Sequence, residues 1–256
     1  LTTEPSSGAR KQEVTKLGEI IWENDKYMEE IGTLWLLHYR LASNQENATA
    51  WYFFFNEFYY TEFTKEDFVI SLNNYIGMNS PNPSKDKKGF ADSSLESDFD
   101  CIINTYVPRA KSNPGKVHPE NNIDCPFGEL GLIDILSKKN KIYKKAQPRK
   151  DDIHPLIILA VILDQVKGLK EVKISSLLDD KCNVGKVYNL DIVLLMNYLY
   201  KLQQLGYLRV IRTAGLDIIR LVTDMDFYEC VLKYYENLDA DYDFYKQDVK
   251  SWNTGI

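Results

Sequence analysis

No apolar stretch of this 256-residue chain approaches the ~20 residues that a membrane helix needs. The longest, Pro155 to Leu163, falls far short. No segment reads as a signal peptide, although a chain opening at Leu1 would not display one already removed. These absences point to a soluble, cytoplasmic protein. The four cysteines, Cys101, Cys125, Cys182 and Cys230, never come at CxxC spacing, which argues against a zinc ribbon. They read as reduced, mostly buried thiols. The chain also has no phosphate-binding Gly-rich loop, HExxH, GxSxG or dinucleotide fingerprint. Excess positive charge is missing as well: the net charge is −6 and the pI about 5.2. That argues against a protein that coats nucleic acid non-specifically.

Aromatic and apolar residues are plentiful and concentrated. Hydrophobic content is 44% and aromatic content 12%, enough for a sizeable core. The densest stretch runs from Asn24 to Phe58 and predicts two apolar helices with a polar turn between them. Thr33 is the expected N-cap of the first, with Leu34, Leu37, His38 and Leu41 at helical spacing. Ser43 to Asn47 breaks the pattern. Asn47 is the expected cap of the second, which carries Trp51, Phe54, Phe55 and Phe58 on one face and Tyr52, Phe53 and Tyr59 on its other sides. A helix apolar nearly all round must be covered on several sides. This hairpin is therefore the expected centre of a helical core, and His38, on its apolar stripe, the expected site of a satisfied core histidine. Asn56 and Glu57, among aromatics, need partners.

Around it, Leu1 to Gln12 reads as a linker or disordered end, and Val14 to Glu23 as the end of an element. Thr64 caps a helix to Ile76. The box Ser93-Ser94-Leu95-Glu96 opens another to about Val107, which buries Leu95, Phe99, Ile102, Ile103 and Tyr106. Asn79 to Ala91 and Arg109 to Asn122 are loops, and Asp124 to Leu136 returns to the core. A domain boundary is expected near Lys150, giving a helical domain over 14–150 and a second over 151–238. In the second, Pro155 to Val166 is a helix, Lys170 to Ile174 a strand and Ser175 to Asp180 a short helix. Asn189 to Leu205 is a long helix stopped by Gly206. Tyr207 to Arg212 and Leu216 to Val222 are strands joined at Thr213-Ala214-Gly215, and Phe227 to Tyr235 closes the unit. That order predicts a winged helix. The fold class expected is mainly α, with a C-terminal winged-helix domain, a small β-hairpin and a polar tail over 239–256.

Five blocks carry a family resemblance: ENDKYMEEIGTLWLLHYRLASN, ATAWYFFFNEF, SDFDCIINTYV, CPFGELGLI and GLDIIRL. In this order they resemble the domain-of-unknown-function family DUF4007, from about Thr15 to about Asn237. The resemblance implies genes beside phosphosulfate-reductase-like and cysteine-desulfurase genes, in bacterial clusters that place sulfur in the DNA backbone for phage defence. It implies DNA as a partner, together with sulfur-transfer and ATPase subunits whose own motifs this chain lacks. Members usually begin with a Gly-His-Glu-Thr-Phe-like block and a helix-turn-helix-like segment. That block is not found here, so the chain reads as the later portion of a longer protein.

Three constellations could carry chemistry. Lys138 to Lys150 holds seven basic residues and no acidic one. Lys138, Lys139, Lys141, Lys144, Lys145, Arg149 and Lys150 could neutralise phosphates, and Tyr143 could stack on an unpaired base; the alternative is a solvated loop. In the winged-helix reading, Lys201 on the long helix, with Arg209 and Arg212 on the wing strands, would face DNA. The alternative there is a winged helix used for protein contact. The third is acidic. Glu96 and Asp100 share one flank of a helix and Asp98 the other, with Asp124 and Glu129 further on. Carboxylates holding magnesium or manganese are what phosphodiester hydrolysis commonly needs. The matched SDFDCIINTYV block makes Asp98, Asp100 and Tyr106 the catalytic candidates, with Asp98 and Asp100 as metal ligands. A DNA-nicking endonuclease follows as the mechanistic expectation. A non-catalytic scaffold of the same complex, a regulator and a homo-oligomer all stay open.

Overall fold

The computed structural model describes residues 2–6, 9–79, 91–108, 125–213 and 216–238. Strands β1 (Thr2–Ser6) and β2 (Ala9–Glu13) pair antiparallel. The stretch expected to be a linker is therefore a two-stranded ribbon. Helix α1 (Lys16–Asn24) follows, with the Thr15 hydroxyl accepting from the Gly18 N–H at 3.2 Å.

Helices α2 (Ile31–Ala42) and α3 (Thr49–Asn56) form the expected hairpin, and both are buried on nearly every side. Their starts differ from the expected caps. Thr33 lies inside α2, whose N-cap is Glu30. The orphan N–H groups of this turn are met from farther away: Asp25 accepts from the N–H groups of Glu29 and Glu30 and from the Thr33 hydroxyl, at 2.9, 3.2 and 2.6 Å. Asn47 likewise does not cap α3, which begins after Ala48. A cap from a remote carboxylate leaves no local sequence signature.

Next come β3 (Glu62–Phe63), α4 (Lys65–Asn79) and α5 (Asp92–Tyr106). Thr64 and Asp67 cap α4 reciprocally: the Asp67 carboxylate accepts from the Thr64 N–H at 2.9 Å and the Thr64 hydroxyl from the Asp67 N–H at 3.2 Å. The expected box at Ser93 is not used, because α5 already starts at Asp92 after Ala91. Its buried face is the expected one, with Leu95, Phe99, Ile102 and Tyr106. A 3-10 turn, Pro126–Leu130, leads into β4 (Ile133–Ser137) and β5 (Ile142–Lys145). These strands and β3 form an antiparallel sheet in the order β3-β5-β4, so the basic segment spans the tight turn after β4, strand β5 and the irregular stretch that follows.

The later elements are α6 (Pro155–Val166), β6 (Glu171–Lys173), α7 (Ile174–Asp179), α8 (Val184–Val187), α9 (Ile192–Gln204), β7 (Leu208–Thr213) and β8 (Leu216–Leu221). A helix over 227–238, α10, closes the described chain. A second antiparallel sheet has the order β6-β8-β7. The long helix starts three residues later than expected, because Asn189 takes a left-handed φ of 51° and Asp191 caps α9 by accepting from the Leu194 N–H at 2.8 Å. Helix α8 lies where the sequence pattern gives no element. It fits against α7 only because residue 185 is glycine, whose missing Cβ would otherwise fall on the Leu178 carbonyl.

The molecule is mainly helical with small antiparallel sheets. The buried residues of α2, α3, α5, α6, α8, α9 and α10 belong to one continuous apolar core. Polar bonds cross the position near Lys150 where the pattern of elements changes: Trp35 Nε1 donates to the Asp152 carbonyl at 3.1 Å, and the Cys182 N–H donates to Asn56 Oδ1 at 2.6 Å. The cysteines are all free, but only Cys230 is buried and Cys101 is exposed.

Candidate functional site

At the centre of the core, His38 is fully enclosed. Its Nδ1 lies 2.7 Å from the Tyr106 hydroxyl and its Nε2 2.6 Å from the Val187 carbonyl. A carbonyl only accepts, so Nε2 carries the proton and Nδ1 accepts from Tyr106. Burial lowers the His38 pKa to about 4, against the raising effect of the Val187 carbonyl. This is a satisfied core histidine, as its place on the apolar stripe implied. Tyr106, a catalytic candidate on sequence, is fully buried, with its pKa well above the ordinary value through burial. Its hydroxyl is committed to His38 and meets no solvent, so the assignment is corrected: Tyr106 is a core residue. A sequence block cannot distinguish a residue kept for packing from one kept for chemistry.

The acidic candidates stand apart on α5. Two residues along a helix are turned by about 200°, and Asp98 and Asp100 leave opposite flanks accordingly. Asp100 is exposed and accepts from the Lys65 ammonium at 2.7 Å. Asp98 is half-buried, and burial raises its pKa. Glu96 shares the flank of Asp100 and acts on the same lysine. The pair does not converge on one point, and among the described residues no group of three His, Cys, Asp or Glu is arranged to hold a metal ion. Asp98 and Asp100 alone therefore do not fit a magnesium or manganese centre. Asp124 and His118 lie outside the described residues. A separate cleft of about 660 Å³ is lined by Glu129, Asp134, Asp151 and Asp152 with Arg149. Asp151 is paired with Lys201, and Asp152 accepts from the Arg149 N–H.

The basic segment divides into three groups. Lys138, Lys139 and Lys141 lie exposed at the β4–β5 turn and make no ion pair among the described residues. Lys144 is exposed on β5 between register partners Glu62 and Asp134, which offset its charge. Arg149 and Lys150 are exposed beyond the strand. Tyr143 packs inward with its ring 6.1 Å from Phe63 and 5.6 Å from Phe99, so it is not free to stack on a base. Lys145 turns away from the solvated lysines: its ammonium donates to the Phe54 and Phe58 carbonyls, each at 2.6 Å, and caps the end of α3. Burial, and then the charge of Lys186, lowers its pKa to about 7.

The C-terminal candidates are mostly spent within the molecule. Lys201 pairs with Asp151, and Arg212 Nε donates to Asp217 at 3.1 Å. Arg220 bonds Glu171, whereas Arg209 is exposed without an ion pair among the described residues. The exposed face of α9 carries Ile192, Val193 and Tyr200 in place of cations.

A second cleft, of about 390 Å³, opens between the end of α3, β5 and the α8–α9 connection. Lys145 and Lys186 both line it, with Tyr59, Asn189, Asp179 and Asp191. The Lys186 ammonium lies 5.0 Å from the centre of the exposed Tyr59 ring. Asn189 Nδ2 donates to the Leu132 and Ala146 carbonyls at 3.2 and 3.0 Å and ties the connection to the first sheet. No sequence signal brought Lys186, Tyr59 and Asn189 together, because the three meet only through the tertiary fold.

Fold and surface together define a mainly helical protein with an aromatic core, a lysine-tipped hairpin and two polar clefts. It belongs to the DUF4007 family, whose sequence profile, described as a protein of unknown function, matches residues 1–235. No curated protein matches the chain. Two solved structures share its fold. One, titled a magnesium ion-bound SspB crystal structure, superposes with a TM-score of 0.70 at 22% identity and covers 88% of this chain. The other, titled an SspB crystal structure, gives 0.66 at 20% identity over 89%. This chain spans 64% of the length of either SspB chain.

Proposed function

We propose that this protein is the DNA-engaging component of a bacterial DNA phosphorothioation system, and that strand nicking is its reaction there. The observation that carries the reading is the β4–β5 turn. It presents Lys138, Lys139 and Lys141 together, exposed and making no ion pair among the described residues, whereas Lys65, Lys170, Lys181 and Lys201 each pair with a carboxylate. The family membership and the likeness to SspB structures support it. The order helix, strand, three helices and hairpin, with the sheet order β6-β8-β7, supports a C-terminal winged helix over 151–238, α8 being an addition to the expected pattern. A metal-dependent nickase needs carboxylates beyond Asp98 and Asp100, so no step is routed through that pair. The other partners follow from this reading: the sulfur-transfer and ATPase subunits would act on DNA that this chain holds.

A specific observation favours a second reading, the non-catalytic scaffold. The exposed residues of α9, Ile192, Val193, Tyr200, Gln203 and Gln204, carry no charge, and Arg212 and Arg220 of the adjoining strands are paired with carboxylates. That face suits a protein partner better than DNA.

Duplex binding across a salt series, together with plasmid nicking in manganese, magnesium and chelator, separates the two. A DNA-engaging protein loses affinity steeply as salt rises. Replacing Lys138, Lys139 and Lys141 by Gln flattens the slope by about 0.9 for each phosphate that is no longer neutralised. No duplex binding at low salt leaves the scaffold, and binding without open circles leaves a DNA-holding subunit.

A further inference from the structure

The cleft between α3, β5 and the α8–α9 connection is lined by two lysines, Lys145 and Lys186, whose donors the fold does not use in full. An ammonium has three N–H donors. At Lys145 two of them go to the Phe54 and Phe58 carbonyls, and the third has no acceptor among the described residues. Lys145 is held in place by those two bonds and by the Phe54 ring, 4.8 Å from its ammonium. In the same cleft lining, Lys186 makes no ion pair among the described residues and rests only on the Tyr59 ring. Elsewhere Lys65, Lys170, Lys181 and Lys201 each have a carboxylate. Two carboxylates also line the cleft. Asp191 accepts from the Leu194 N–H and is committed to capping α9, while Asp179 is exposed at the end of α7.

Two like charges lining one partly enclosed cleft repel each other, and either an anion between them or loss of the Lys145 proton relieves this. The fold places them so, and burial and Lys186 both push against the charge on Lys145. The geometry points to a binding site for one tetrahedral oxyanion, a phosphate or sulfate group, held between the free N–H of Lys145 and the ammonium of Lys186, with Tyr59 at its mouth. This goes beyond the solvated lysines of the β4–β5 turn, because the site is a pocket for a single group and not an electrostatic surface. It rests on the DNA-engaging reading only for the source of the anion, which is either a backbone phosphodiester or a free oxyanion.

Titration of the whole chain with sodium phosphate and with sodium sulfate, at ionic strength held constant with chloride, tests it by calorimetry. Lys186→Gln is the informative variant, since Lys186 holds no structural bond; Lys26→Gln, an exposed lysine outside the cleft lining, is the control. Saturable binding to the wild type, weakened about tenfold by losing one charge-assisted partner in Lys186→Gln and unchanged in Lys26→Gln, is the expected result. No saturable response in the wild type, or equal response in Lys186→Gln, overturns the site. The same variants are then mixed with duplex DNA. A matching fall in duplex affinity in Lys186→Gln identifies the anion as a phosphodiester. Duplex affinity unchanged beside abolished phosphate binding identifies a free oxyanion. Phosphate binding with no duplex binding at all keeps the site and removes the DNA-engaging reading.

Discussion

His38 shows how a single ionisable group is held at the centre of an aromatic core. Trp35, Phe55, Tyr106, Phe127 and Tyr188 surround its ring. Both nitrogens have partners only while the ring is neutral, and burial makes the charged form costly. The folded pKa lies near 4, below the ordinary 6.5. The unfolded chain therefore takes up the proton first as pH falls. The stability owed to neutral His38 is complete above pH 6.5 and is lost as pH drops toward 4. The full loss is about 3 kcal/mol, by the conversion of a pKa shift to free energy. Urea midpoints measured from pH 7 to pH 4 should fall across this window in the wild type and fall less in His38→Gln. Equal slopes would mean that His38 titrates freely. Tyr106→Phe removes the donor to Nδ1 and should cost about 1–3 kcal/mol, as for any buried acceptor left unpaired.

At the scale of elements, short helix α8 decides how the two ends of the chain meet. Asn183 starts it by accepting from the Val184 N–H at 3.0 Å, and the Val187 carbonyl at its end accepts a hydrogen bond from His38 Nε2 at 2.6 Å. Its approach to α7 depends on Gly185, because a Cβ there would collide with backbone atoms of Leu178, which cannot swing aside. Gly185→Ala should destabilise the protein by about 2–3 kcal/mol, in the range of overpacked cores, as read by a lowered urea midpoint. If the midpoint does not move, α7 and α8 are free to separate. The same helix carries Lys186 into the cleft, so packing and the proposed anion site share one element. The lysine-tipped β4–β5 hairpin is anchored differently: Tyr143 packs inward on Phe63 and Phe99 while the turn lysines stay in solvent. Charge can be added to or removed from that turn with little effect on the core.

For the whole molecule, the change of pattern near Lys150 is not a break in the core. Trp35 reaches Asp152, His38 reaches Val187, and Thr33 meets Tyr235 at 2.7 Å. A core shared in this way should unfold in one step. Three of the four tryptophans, Trp22, Trp35 and Trp51, lie before the boundary, so tryptophan fluorescence reports mainly on the first part, whereas far-UV circular dichroism reports on all the helices. The two urea transitions should coincide; separate midpoints would establish 14–150 and 151–238 as independent domains.

Periodicity and punctuation carried much of the architecture into view. The helical spacing of Leu95, Phe99 and Ile102 defined the buried face of α5, Thr64 and Asp67 sit side by side and cap α4, and Gly206, with its φ of 83°, stops α9 where expected. These are local effects, written within a turn or two of helix. The sequence blocks likewise sufficed for the DUF4007 family. Features built from residues distant in the chain came instead from tertiary folding: Lys145 capping α3 instead of meeting solvent, Tyr106 sealed against His38, and Lys186 brought into one cleft with Lys145. A residue's type sets the chemistry it can do, but its burial and its partners set whether it does so, and neither is a property of the neighbouring letters.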